Sequence, residues 1–238
     1  MLELKNLSKS YENLKAVDNL SLNIKKGIIF GFLGHNGAGK TTTINMITGI
    51  LNTDEGFINF DGVDMNTSPL EFKKQIGFVP DSKDMFLNLT GYEYLNFIST
   101  VYEKDYQTET ILNLIDQFEI KDKLNDRIAN YSHGLKQKLF ICGSLISDPK
   151  LWILDEPMSG LDPKSAFILK DTMKNHSAKG NLVFFSTHVL EVAEKLCDEI
   201  GIIKKGKLIL NDSMENIKNK YQNDLSLENI FLELTKNE

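Results

Sequence analysis

The stretch "IIFGFLGHNGAGKTTT", residues 28–43, sets an apolar run against a loop with almost no side chains, followed by a lysine and three threonines. Gly34, Gly39, Lys40 and Thr41 fit the spacing G-x-x-x-x-G-K-[ST], with Gly37 as a further bare position inside it. The short apolar run predicts a strand, and "KTTTINMITGI" behind the loop predicts a helix. Bare positions let successive backbone N–H groups turn toward phosphate oxygens, and the amino end of a helix adds a dipole that favours negative charge. Gly34, His35, Asn36, Gly37, Ala38, Gly39 and Thr42 are therefore candidate phosphate contacts. Lys40 offers a full positive charge at the β and γ phosphates, and the Thr41 hydroxyl suits one position of an octahedral magnesium shell. The competing reading is a glycine turn before a surface lysine. The strand and helix on either side of the loop argue against it.

A second apolar run, "LWILDEP" (151–157), ends in two consecutive acids. Successive residues of a strand point to opposite faces, which gives Asp155 and Glu156 separate jobs. Asp155 is a candidate to orient magnesium through water, and Glu156 is a candidate general base near the γ-phosphate. Both acids would also suit the approach to a helix, where negative charge is welcome. His188, in "FFSTHVL", follows another apolar strand and is expected at the same carboxyl edge, where ligands bind in doubly wound sheets. Spacing alone leaves two readings of it: a cap or surface group, the commoner use of a lone histidine, or a hydrogen-bond partner for the γ-phosphate and water.

Outward from these motifs, 238 residues with 41% hydrophobic and 25% charged content support a globular chain able to bury a core. No Pro/Gly/Ser-rich linker divides it, so one folding unit with a lobe is expected. The net charge of -6 argues against a broad nucleic-acid surface, and no nucleic-acid partner is expected. Cys142 and Cys197 have no metal-like spacing and read as small core hydrophobes in a reducing compartment. The start, "MLELKNLSKS", lacks a signal-peptide layout, and no apolar run reaches the roughly 20 residues of a spanning helix. A cytosolic chain is expected, with any membrane role supplied by a partner.

"LELKNL" and "VDNLSLNI" alternate and predict half-buried antiparallel strands. "IIFGFL", "LWIL", "NLVFFST" and "EIGIIK" are nearly continuous apolar runs and predict central strands of a mostly parallel sheet covered on both faces. Apolar spacings of three and four in "YEYLNFISTVY" and "TETILNLIDQFEI" predict a helical lobe from about Leu89 to Ile146. The terminal "DLSLENIFLELTKNE" predicts an amphipathic packing helix capped by Ser226.

Taken together, "GHNGAGKTT", "YSHGLKQKL", "LWILDEPMSGLDP" and "STH" resemble the ATP-binding subunit of ATP-binding cassette (ABC) transporters, of the exporter-like ABC-2 type. The resemblance covers nearly the whole chain. It implies an α/β fold with a P-loop NTPase core, a mostly parallel sheet with flanking helices, a small antiparallel β layer and an inserted helical lobe. One domain is expected over 1–238, its core at about 1–80 and 147–238 and its helical subdomain at about 81–146. The implied activity is ATP hydrolysis with Mg2+, coupled to transport. The implied partners are a second cassette, identical or different, and a membrane-spanning permease that would hold the chain on the inner face of the cell membrane.

"YSHGLKQKL" stands where the family signature reads L-S-G-G-Q. Taken alone, Ser132 is an ordinary helix N-cap; the resemblance makes Ser132 and Gly134 contacts to the γ-phosphate held by the opposite subunit. Tyr11, by itself a strand aromatic, resembles the ring that stacks on adenine. "SGLDP", with Asp162, resembles the loop linking two sites across the dimer. "IGFVP" resembles the segment leading to a magnesium-touching glutamine, and "DSKDMFLNLTGYEYL" after it, with Met85 and Phe86, the coupling surface for the membrane partner. The chain departs from the pattern at the glutamine position and in the signature pair. Asp81 replaces that glutamine, where a shorter acid still suits the ion through water, and His133 replaces the first glycine of the signature pair. Hydrolysis is expected to survive both changes. A non-transport ATPase of the same build and an ATP-sensing module with little turnover are the alternatives.

Overall fold

The computed structural model describes residues 1–12, 14–220 and 226–236. The chain opens with β1 (Leu2–Tyr11) and β2 (Leu14–Ile24), then β3 (Ile29–Leu33), α1 (Lys40–Ile47), β4 (Glu55–Phe60), β5 (Val63–Asp64), α2 (Pro69–Lys74) and β6 (Ile76–Val79). A helical stretch follows: α3 (Gly91–Tyr102), α4 (Glu109–Gln117), two 3-10 turns at Lys121–Lys123 and Ile128–Asn130, and α5 (His133–Leu145). The remainder is β7 (Leu151–Leu154), α6 (Pro163–Ala178), β8 (Leu182–Thr187), α7 (Leu190–Leu196), β9 (Glu199–Lys204), β10 (Lys207–Ser213), α8 (Met214–Lys220) and α9 (Leu227–Thr235).

Two sheets form. The first has the order β2-β1-β4-β5 and is antiparallel, as the alternation of the amino-terminal strands predicts. The second has the order β10-β9-β3-β8-β7-β6; β9, β3, β8, β7 and β6 run parallel, and β10 closes one edge as the antiparallel arm of a hairpin. The turn of that hairpin, Lys205 and Gly206, has positive φ at both positions (47° and 79°), the arrangement that matches strand twist in two-residue loops. β6 and β10 extend the parallel sheet beyond the four strands that the apolar runs predict.

Continuous apolar runs are explained by burial on both faces. Along β7, Leu151 and Ile153 pack with Phe30, Phe32 and Phe184 toward the antiparallel sheet and α1, whereas Trp152 and Leu154 pack with Val183 and Phe185 toward α5, α6 and the helical stretch. Each residue of the strand therefore removes apolar surface from water, about 25 cal/mol for every Å².

Side chains start the helices. Thr90 and Glu93 form a reciprocal capping box at α3, with Thr90 N donating to Glu93 Oε2 at 2.8 Å and Glu93 N donating to Thr90 Oγ1 at 3.2 Å. Asp162 caps α6 ahead of Pro163, and Ser226 accepts from Asn229 N at 3.3 Å to open α9, the predicted terminal helix.

Candidate functional site

Parallel strands end together. Gly34 follows β3, Asp81 lies just beyond β6, Asp155 and Glu156 follow β7, His188 follows β8, and the Lys205–Gly206 turn follows β9, so residues far apart in sequence meet at one sheet edge. The glycine loop is held there by close backbone approach. A Cβ at Gly34 would come 2.6 Å from the Ile203 carbonyl oxygen, and one at Gly39, whose φ is +110°, would come 2.5 Å from that of Ala16. Gly206 N donates to Ala38 O at 2.9 Å, which ties the loop to the β9–β10 hairpin.

The loop, Tyr11, Leu14 and Ala16 line a cleft of about 690 Å³, well inside the size range of ligand sites. Tyr11 is 46% exposed on its wall rather than in the core. Lys40, Thr41, Asp81 and Glu156 line the same cleft. Lys40 is buried; its Nζ donates to Gly34 O at 2.7 Å and His35 O at 3.3 Å and lies 3.4 Å from Glu156 Oε1.

Asp155 is 1% exposed, and its Oδ1 accepts a 2.5 Å hydrogen bond from Ser186 Oγ. Burial pushes its carboxyl above the usual range, against the hydrogen bonds from Ser186 and Thr41 that favour the carboxylate. Glu156 turns elsewhere: Oε2 lies 3.0 Å from His188 Nδ1, and the buried Oε1 has no hydrogen-bond partner. The two acids do have different surroundings, but strand alternation is not the reason. β7 ends at Leu154, and Glu156 has φ +48°, so a left-handed turn separates them.

Sequence reasoning passed over three residues here. Ser186 interrupts the apolar "LVFF" run and bridges both acids. Gln137, fully buried in α5, donates to Pro157 O at 3.0 Å. Lys83 is buried and donates to Pro80 O; burial pushes its ammonium down to about 8, while the charges of Asp81 and Asp155 act to raise it. A polar residue inside an apolar strand was a visible signal for Ser186 alone.

Among the described residues no three His, Cys, Asp or Glu side chains converge to cage a metal. The oxygen groups of Thr41 and Asp155 fit a hard cation that keeps most of its shell as phosphate oxygen and water.

A family model described as ABC transporter matches residues 17–159. The chain belongs to the ABC transporter family. The ABC relatives include the lantibiotic transport ATP-binding protein SrtF of Streptococcus pyogenes, 33% identical over 96% of this chain and 99% of SrtF. The ABC-type transporter ATP-binding protein EcsA of Bacillus subtilis is 30% identical over 99% of this chain and 97% of its own length. The bacitracin transport ATP-binding protein BcrA of Bacillus licheniformis is 32% identical over 96% and 74%. A solved ATP-binding subunit of an ABC transporter superposes with a TM-score of 0.89 at 29% identity, covering 99% of both chains. The protein is thus a transporter ATP-binding subunit with the fold of an ABC ATPase, an enzyme that binds and hydrolyses ATP.

The remaining motifs of this ABC subunit lie away from the cleft. Ser132 is the N-cap of α5, accepting from Leu135 N at 3.3 Å, and neither it nor Gly134 lines the cleft of its own chain. A Cβ at Gly134 would come 2.5 Å from Gly160 O, while the His133 ring occupies the space where a Cβ at Gly160 would stand. Asp162 accepts from Ser165 N and Oγ at 2.9 and 2.7 Å and pairs with Lys138 at 2.9 Å. The Ser165 and Lys138 bonds hold its carboxyl below the usual range. Cys142 and Cys197 are buried and free, as small core residues.

Proposed function

We propose that this cassette is the ATP-driven subunit of an exporter-like, ABC-2 type transporter, working as one of a pair on a separate membrane-embedded permease. The observation that carries the catalytic part of this reading is the meeting of Lys40, Glu156 and His188, with Glu156 Oε1 and Oε2 at 3.4 and 3.0 Å from the other two. The loop amides from Gly34 to Thr42 and the Lys40 ammonium would hold the phosphates, with Tyr11 against the adenine. Thr41 and Asp155, and Asp81 through water, would hold Mg2+, which when bound supplies positive charge to the β and γ oxygens. Glu156 takes a proton from water as that water forms its bond to the γ-phosphorus and the bond to the bridging oxygen breaks. His188 holds the Glu156 carboxylate in place.

Ser132 and Gly134, remote from their own cleft, would serve the nucleotide of a second cassette. The helical subdomain, about 81–146, carries exposed Met85, Phe86, Phe97 and Val101, an apolar patch suited to a permease loop. No described helix is long and apolar enough to cross a membrane, so the permease would hold the subunit on the inner membrane face.

Glu156→Gln keeps shape and removes the base. ATP is expected to bind as before, turnover to fall by a factor on the order of 10² to 10⁴, and a dimer to accumulate in size-exclusion chromatography. Unchanged turnover would remove Glu156 from this role, and a native chain that co-purifies with no membrane protein would remove the permease.

A further inference from the structure

Glu156 has a left-handed backbone, φ +48°, a conformation that costs free energy for a residue with a side chain. Two buried side chains grip the turn. Ser186 Oγ accepts the Glu156 N–H at 2.9 Å, and Gln137 Nε2 donates to the Pro157 carbonyl at 3.0 Å. The Ser186 hydroxyl also gives its own proton to Asp155 Oδ1 at 2.5 Å. Its place in the sheet explains this reach. The pairing of β7 with β8 stops at Leu154 opposite Phe185, and Ser186 is the next residue of β8, so its side chain supplies the bond that the ladder no longer can. Ser186 and Gln137 are both wholly buried, so these bonds meet no competition from solvent.

We propose that Ser186 is a positioning residue for both acids of the site. One hydroxyl holds the strained peptide that aims the Glu156 carboxylate at Lys40 and His188, and at the same time fixes the rotamer of Asp155; Gln137 braces the far side of the turn. Aiming matters because displacement of a reacting group by about 1 Å costs on the order of 10² in rate. The inference rests on the reading of Glu156 as the base.

Ser186→Ala removes a single oxygen. It is expected to lower kcat by about tenfold or more while leaving KM for ATP within about twofold, since the loop that binds phosphate is untouched. Hydrogen exchange across residues 154–159, measured by mass spectrometry without nucleotide, should accelerate as the Glu156 amide loses its acceptor. Ser186→Thr, which keeps the hydroxyl, should restore both, and Gln137→Met should lower kcat at constant KM. Loss of thermal stability with kcat and exchange unchanged in Ser186→Ala would show a merely structural hydroxyl and overturn the proposal. Should Ser186→Thr not fold, the exchange result on Ser186→Ala decides. The Glu156→Gln enzyme separates the two readings: full turnover there defeats the base, whereas an inactive Glu156→Gln beside a fully active Ser186→Ala defeats the positioning role alone.

Discussion

At the scale of single residues, the charges around Asp81 show how an acid at the sheet edge is balanced. Two positions after this acid the chain buries Lys83, whose charge is attracted to both Asp81 and Asp155. Compensation of this kind lies within three residues, yet nothing in the sequence marks Lys83 as buried. Tyr11 shows the opposite case. Its place at the end of an alternating strand suited a core aromatic, but the structure leaves it 46% exposed on the cleft wall, beyond Ser8, where the pairing of β1 with β4 ends. Since it supports no core, Tyr11→Ala should leave unfolding free energy within about 0.5 kcal/mol. A stacking role predicts a loss of about 1 kcal/mol or more in nucleotide binding with kcat preserved, measurable by titration calorimetry and steady-state kinetics.

Elements transmit these local arrangements. α9 was legible as an amphipathic helix with its cap, but its destination was not. Its Phe231 ring meets the His35 ring edge-on, with centroids 4.9 Å apart, so the last described helix packs on the phosphate loop. Phe231 is buried, and Phe231→Ala should destabilise the protein by about 3 kcal/mol in urea unfolding, as for other buried aromatics. A change well below that would mean that α9 rests loosely on the surface. The same distinction between kind and destination holds for α5. Apolar spacing predicts a helix, whereas the contact of Gln137 with the turn after Glu156 depends on how that helix lies across the sheet.

For the molecule as a whole, His176 reports on the packing of α6 against the central sheet. It is buried, its ring meets Trp152 edge-on at 5.4 Å, and burial holds its imidazole below 6.5, against the backbone bond at Pro149. The unfolded chain therefore takes up a proton at His176 before the folded one does. This contribution to stability is fully present above about pH 6.5 and is lost as pH falls toward the folded value. Urea midpoints should drop between pH 7.5 and 5.5, and His176→Phe should flatten that drop; an identical drop in the variant would exclude His176 as its source.

The sequence by itself determined what is contiguous. The strand, bare loop, Lys40 and helix lie within one short stretch, where local sterics and backbone hydrogen bonding suffice to specify the structure. The paired acids, the helix caps and the two-faced strands were readable for the same reason. Tertiary structure alone decided which strands are neighbours. Only the order β9-β3-β8-β7-β6 brings Asp81, Glu156 and His188 to Lys40, and only the early end of the β7–β8 ladder gives Ser186 its two bonds. Parallel pairing joins segments separated by long crossovers and is selected by burial of the whole sheet, a property that no short stretch of residues expresses.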